Sequence, residues 1–344
     1  MNRRQPSKSP PVSIKHPRLL VVIDTEEEFD WSSAFNREST SVLAMRSVEM
    51  VQKIFDEYGI VPVYVIDYAV ARQREGYMPL LEILRSGGCE IGAHLHPWVN
   101  PPFSETVNRF FSFPGNLPKE IERKKLLNLV DVIGENLGSK PTVYKAGRYG
   151  LGPNTAAILE DLGFQVDLSG CPYMNYADEG GPDFRTWRSW PFFLETPQKK
   201  ILEIPSTVGY TGLLRKHGFT IHEYASQPYW QRWHAIGILA RLNMVNKIRL
   251  NPEGYPAAEM VALTRALYED GLRVFCLAFH SPSLEPGNTP YVTTQRELDN
   301  FLSQLRRFFD FFMGELNGCA TIPLEVRANM LGIPGEIGTM MLTQ

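Results

Sequence analysis

The stretch that decides the fold is RLLVVIDTEEEFDW, residues 18–31. Leu19 to Ile23 are apolar without a break, and the run stops at Asp24. A short apolar run with no polar alternation reads as a strand covered on both faces, as in a parallel sheet. Glu26, Glu27 and Glu28 follow at once, so charged chemistry collects where this strand ends.

The same construction recurs along the chain. The pattern predicts strands over Arg18–Asp24, Val61–Asp67, Cys89–His94, Pro141–Gly147, Gln165–Ser169, Ile201–Thr207, Arg273–His280 and Ala320–Val326. Helical periodicity fills most of the gaps, over Ser39–Tyr58, Pro79–Ser86, Lys119–Leu137, Pro153–Leu162, Pro228–Asn246, Ala257–Asp270 and Thr293–Met313. Gly59, Gly87, Gly138, Gly163 and Gly271 each follow a helical run, where a left-handed C-terminal cap belongs. Strand–helix alternation of this kind means parallel β with right-handed crossovers. There is no GxGxxG after the first strand and no GxxxxGK[ST]. The expectation is therefore an α/β fold, a (β/α) barrel of about seven to eight parallel strands, not a nucleotide-binding open sheet.

Composition agrees. With 344 residues, 43% of them hydrophobic, the chain can fill one large barrel. Its 35 Lys and Arg against 38 Asp and Glu exclude a generally basic surface, so no nucleic-acid partner is expected. No apolar run approaches the ~20 residues of a transmembrane helix, so no membrane partner is expected either. Residues 1–17 are basic and proline-rich with no apolar segment behind them, which reads as a disordered tail on a cytoplasmic protein. Residues 18–330 form the single barrel domain and 331–344 a C-terminal tail. Residues 170–200 break the rhythm and are read as an insertion over one barrel end. Their aromatics, among them Tyr173, Tyr176, Trp187 and Trp190, either bury the insertion or offer faces to a sugar. Cys89, Cys171, Cys276 and Cys319 lack metal spacing and read as buried free thiols.

In a parallel barrel the active site stands at the C-terminal strand ends. There the sequence places Asp24 and Glu26, Asp67, His94 and His96 with Trp98, Lys145 with Arg148 and Tyr149, Asp167, and His280. His94 and His96 are two apart, so on an extended segment both imidazoles share a face. His-x-His alone arises often by chance. Joined to the Asp-x-Glu of another strand end, it makes a donor set suited to a divalent metal, with one acid free to ligate and the other to handle protons. Such a metal makes water nucleophilic near neutrality. Asp24 and His280 have the positions of a proton acceptor and a proton donor. Asp167 could orient His280, and Lys145 and Arg148 could keep an acid ionised. Asp67, Trp98, Tyr149 and Trp187 are candidate substrate contacts. His16, His217, His222 and His234 read as structural or incidental.

Five segments carry a resemblance: VVIDTEEEFDW (21–31), CEIGAHLHPW (89–98), YKAGRYGLGPNTAAILEDLGFQVDLS (144–169), LEIPSTVGYT (202–211) and AFHSPSLEPGNTPYV (278–292). In order and content they resemble the polysaccharide deacetylase (NodB-homology, carbohydrate esterase) superfamily, and within it the WalW-like branch. The resemblance covers residues 18–315 and implies a distorted barrel that removes acetyl groups from a carbohydrate substrate with a divalent metal, zinc first, with cobalt, manganese or nickel as alternatives. It implies Asp24 as base, Glu26 as metal-binding acid, His94 as the first histidine ligand, Lys145 as the residue steadying the base, Asp167 as its fourth-motif acid and His280 as the catalytic acid. Thr25 stands where a second Asp is usual. Trp98 stands where the second histidine is usual, so His96 must substitute, and Lys145 stands where Arg is usual. The expected activity is a metal-dependent deacetylase. The alternatives are a barrel that has lost turnover and binds a glycan or regulates polysaccharide biosynthesis, and a hydrolase of a non-acetyl amide.

Overall fold

The computed structural model describes residues 14–198 and 201–333. Most of both predicted tails therefore lies outside the described residues. The strands are β1 (Arg18–Thr25), β2 (Val63–Ile66), β3 (Glu90–Leu95), β4 (Val143–Ala146), β5 (Val166–Asp167), β6 (Phe192–Phe193), β7 (Leu202–Glu203), β8 (Val208–Thr211), β9 (Asn246–Arg249), β10 (Val274–His280) and β11 (Cys319–Ala320). Nine form one sheet, ordered β10-β1-β2-β3-β4-β5-β7-β6, with β11 also paired to β1. Every pairing in it is parallel except that of β6 with β7. The expected parallel α/β barrel is thus present, as a curled half-barrel.

Curling follows from the core. Leu20 and Val22 of β1, Val63 and Val65 of β2, Val143 of β4, Val166 of β5, Leu202 of β7 and Val274 and Cys276 of β10 all pack in one buried cluster. Residues from both flanks of the sheet can meet only if it wraps around them. The alternate residues, such as Leu19, Val21 and Ile23, face outward into a second cluster beneath the helices. Between β7 and β10 the strands do not pair. Single main-chain bonds bridge that seam instead: Thr207 N to Cys276 O at 3.2 Å, Leu250 N to Thr207 O at 2.8 Å and Ala278 N to Leu250 O at 3.3 Å. Thr207 and Leu250 stand at the base of the antiparallel β8–β9 pair, which forms a separate sheet.

The helices come close to expectation. Lys119–Leu137 matches to the residue, and Gln295–Phe309 starts at a Thr294–Glu297 capping box. All five glycines read as caps have positive φ, between 61° and 98°. Ser39–Tyr58 is helical only from Leu43, and as an α-helix only over Val48–Glu57; two further expectations fail. Ala320–Val326 is a strand only at its first residue. Pro323 then starts the helix Pro323–Met330, which turns Leu324, Val326 and Met330 onto the interior cluster. Pro228–Asn246 is not one helix. It is divided into Pro228–Gln231 and Ala235–Arg241 by His234 at φ 50°, and its end belongs to β9. Cys319 is exposed, while the other three thiols are buried as expected. Among the described residues no helix is long and apolar enough to cross a membrane.

Candidate active site

Strand alternation aims the site. Asp24 shares the parity of Leu20 and Val22, and Lys145 that of Val143, so both side chains rise into the top of the barrel. His94 follows Gly92 at the same parity. A Cβ on Gly92 would stand 2.8 Å from Val65 Cγ1 and 2.9 Å from the Val143 carbonyl, so only glycine fits below the histidines. Gly147 works likewise, since its Cβ would stand 2.5 Å from His96 Cδ2.

Glu26, His94 and His96 converge. Each histidine has its Nε2 at 3.4 Å from the same oxygen, Glu26 Oε2. Each commits its Nδ1 elsewhere, His94 to the Lys145 carbonyl at 2.9 Å and His96 to Glu27 Oε2 at 2.7 Å. These acceptors take the Nδ1 protons, so both Nε2 lone pairs face Glu26. Burial pushes both histidines down to about 4, so they are neutral, and it raises Glu26 against the pull of His280 and His96. Glu26 Oε1 is buried without a hydrogen-bond partner. One ligand atom from each of Glu26, His94 and His96 lies within 4.8 Å of the others, a group that could hold a divalent cation; among the described residues Glu27, Asp67 and His96 form a second such group.

Asp24 and His280 lie beside this group. Lys145 Nζ donates to both oxygens of Asp24 at 2.6 Å. Burial alone would raise the Asp24 pKa, but Lys145, helped by His94 and His280, brings it below the ordinary value. His280 Nε2 stands 3.7 Å from Asp24 Oδ2. Its Nδ1 donates to Glu253 Oε2 at 2.8 Å. Burial works against the imidazolium, yet Glu253 and Glu26 carry His280 up to about 9. Glu253 in turn accepts from Ser283 Oγ at 2.5 Å, the His280 main-chain N at 3.1 Å and Asn251 Nδ2 at 3.1 Å. At neutral pH the site therefore holds an ionised acid facing a protonated histidine.

These groups floor a cavity of about 620 Å³. Trp31, Phe35, Trp98, Tyr149 and Tyr291 form much of its wall. Trp31 meets His280 edge-on at 5.1 Å between ring centres, and Trp98 stacks on His96 at 4.3 Å. Trp98 also donates through Nε1 to Glu27 Oε1 at 2.6 Å.

Four expected residues stand differently. Asp167 does not orient His280. Its neighbours Val166 and Leu168 take the inward parity, and it instead bonds Ser169 and Glu203 on the outer side. Arg148 lines the cavity, but its ion pair is with Glu179 and not with Asp24. Asp67 does not line the cavity. It is fully buried, caps the helix Tyr68–Arg72 through Val70 N at 2.8 Å, and shares a hydrogen bond with Glu27. Trp187 packs on Phe184 and Phe192 and lines a second cavity, not this one. Sequence reasoning missed Glu253, Glu27 and Arg249. The first and last sit on or just after β9, of which the helical reading of Pro228–Asn246 took only Asn246 and left the rest unassigned. Glu27 was legible only as one acid in a run of three.

No family model matches the chain, and no curated protein is similar to it in sequence. Solved structures are similar to it in fold. A Mycobacterium smegmatis protein provisionally assigned as a polysaccharide deacetylase superposes with a TM-score of 0.57 at 15% identity, over 96% of this chain and 95% of its own. The chain has the polysaccharide-deacetylase barrel fold. The Puue allantoinase superposes at 0.52 and 16% identity, over 92% and 90%. A 4-alpha-glucanotransferase from Thermococcus litoralis reaches 0.50 at 13%, over 92% of this chain and 40% of that one. This polysaccharide-deacetylase barrel is thus shared by proteins named for different reactions, and the site's own chemistry must choose among them.

Proposed function

We propose that the chain is a metal-dependent hydrolase that removes an acetyl group from an acetylated sugar or glycan precursor, within the WalW-like branch of the polysaccharide deacetylase superfamily. One observation carries the reading. Two imidazoles share a single carboxylate oxygen at 3.4 Å, with an ionised acid and a protonated histidine beside them. Their convergence favours turnover over a barrel that only binds. Glu26, His94 and His96 would hold the cation, zinc by donor type, with cobalt, manganese or nickel also compatible. When bound, it supplies the positive charge that acidifies a water and polarises a carbonyl.

The remaining chemistry belongs to the chain. Asp24, kept ionised by Lys145, accepts the water's proton at a carboxylate oxygen. His280, held by Glu253, donates the Nε2 proton to the departing amine or hydroxyl. The aromatic wall suits the apolar faces of sugar rings. Purified protein should release acetate from acetylated aminosugars, lose this with a chelator and regain it with zinc or cobalt. Release indifferent to chelation, or no metal by elemental analysis, overturns the mechanism.

The His280–Glu253 pair makes a pH prediction. The donor form of His280 is present below about 9 and lost as pH rises through that value, so turnover should fall on the alkaline side there. Glu253→Gln removes the largest raising influence, and the alkaline limb should move down towards the ordinary histidine range. His280→Ala should keep its metal and lose about 10²- to 10⁴-fold in rate. A pH–rate profile of Glu253→Gln with an unmoved alkaline limb would assign that limb to another group.

A further inference from the structure

Arg249 is the last residue of β9 and lines the catalytic cavity. The cavity's other cations are matched: Lys145 by Asp24, Arg109 and Arg148 by Glu179, His280 by Glu253. Arg249 is not. Among the described residues no carboxylate lies within ion-pair distance of it, its Nε is closed from solvent without an acceptor, and its Nη1 donates only to the Tyr149 hydroxyl at 3.0 Å. Arg249 is half-buried, and a guanidinium partly withdrawn from water costs stability unless an anion compensates it.

The backbone around it is strained to suit. Arg148 and Tyr149 are consecutive non-glycine residues at φ 54° and 57°, a conformation that costs free energy and collects at ligand sites. The result stands the Tyr149 ring between two cations, Lys145 Nζ at 5.3 Å and Arg249 Cζ at 5.6 Å from its centre. Arg249 therefore lies no more than about 11 Å from the group that holds Asp24, within the span of a short saccharide.

We infer that Arg249 forms an anion subsite, and that the substrate is an acidic saccharide whose carboxylate or phosphate rests on this guanidinium while the acyl group lies at Asp24 and His280. The planar fork of arginine accepts either anion in two parallel bonds, which a lysine cannot reproduce. The inference rests on the hydrolase reading for the position of the acyl group. The anion subsite itself rests on Arg249, Tyr149 and the cavity.

The test measures binding, so that it does not depend on turnover. Glucose, glucuronate and glucose 6-phosphate are titrated into the metal-loaded protein and into Arg249→Met and Arg249→Lys, at one ionic strength. The unaltered protein should prefer one acidic sugar over glucose by about tenfold or more, the scale of one charge-assisted bond. Glucuronate as the favoured ligand identifies a uronate, and glucose 6-phosphate a phosphorylated sugar. Arg249→Met should erase the preference and Arg249→Lys should restore part of it. Equal binding of all three sugars overturns the subsite. So does an undiminished preference in Arg249→Met, which would place the anion at the Glu26–His94–His96 group. If Arg249→Met does not fold, a preference fully retained in Arg249→Lys overturns the fork. Absence of acetate release from any sugar would refute the hydrolase reading and leave these ratios untouched.

Discussion

His94→Ala should strip the protein of its metal and reduce turnover by about 10²- to 10³-fold or more, the loss expected when charge stabilisation is removed from a water-poor site. Among the described residues Glu26, His94 and His96 bring their ligand atoms to one point, and His94 Nε2 is one of the three. The remaining pair, Glu26 and His96, offers two protein ligands where catalytic zinc sites use three. The fold should survive. His94 makes one side-chain hydrogen bond, to the Lys145 carbonyl, and β3 remains pinned between β2 and β4. Elemental analysis against the thermal midpoint checks both halves. Full metal retention in a folded His94→Ala protein would remove His94 from the ligand set, and a His94→Gln variant guards against a cavity artefact.

Lys145→Met should be the most destabilising single change in the site. Lys145 and Asp24 are 1% and 4% exposed, and both carboxylate oxygens accept from the one ammonium. Removing one partner of a buried ion pair leaves the other charge uncompensated, at about 3–5 kcal/mol. The pH dependence has a definite sign. In the unaltered protein the Asp24 pKa is held below its ordinary value, so this pair stabilises at neutral pH and loses that contribution as pH falls through the folded value. Without Lys145 the desolvation that now opposes it dominates and the carboxyl pKa rises. The variant's deficit should therefore be greatest near neutrality and shrink in acid, where Asp24 takes up a proton. The acid limb of the rate should move upward. The double variant Asp24→Asn, Lys145→Met should melt higher than Lys145→Met alone, because no charge is stranded. A double variant that is no more stable than the single one contradicts the pairing.

The sheet was legible because its strands announce themselves as unbroken apolar runs closed by polar residues. Leu19–Ile23 before Asp24 is the clearest, and it places Asp24, Lys145, His94 and His280 at one barrel end. What such a run hides is parity. When both faces of a strand are buried, sequence alone does not say which alternate residues point inward, and Asp167 fell on the wrong side for that reason. Glu253 was hidden differently. The residues of β9, Asn-Lys-Ile-Arg, carry two positive charges and a single buried apolar position, so nothing marked them as a strand leading to the site. The tryptophans show a third limit. Trp98 and Trp187 look alike in sequence, and only packing reveals that one walls the catalytic cavity and the other a neighbouring one.

The unpaired seam between β7 and β10 divides responsibility within the molecule. Asp24, Glu26, His94 and His96 sit on or just past the ends of strands joined by continuous ladders, where any shift is resisted by the whole sheet. The partner that tunes His280 and the guanidinium facing the cavity hang from a two-stranded arm tied in by a few bonds. On the reading proposed above, heritable change in that arm retunes the acidity of the histidine and the charge of the accepted ligand one residue at a time. On that reading, the Asp24, Glu26, His94 and His96 group need not be rebuilt for either.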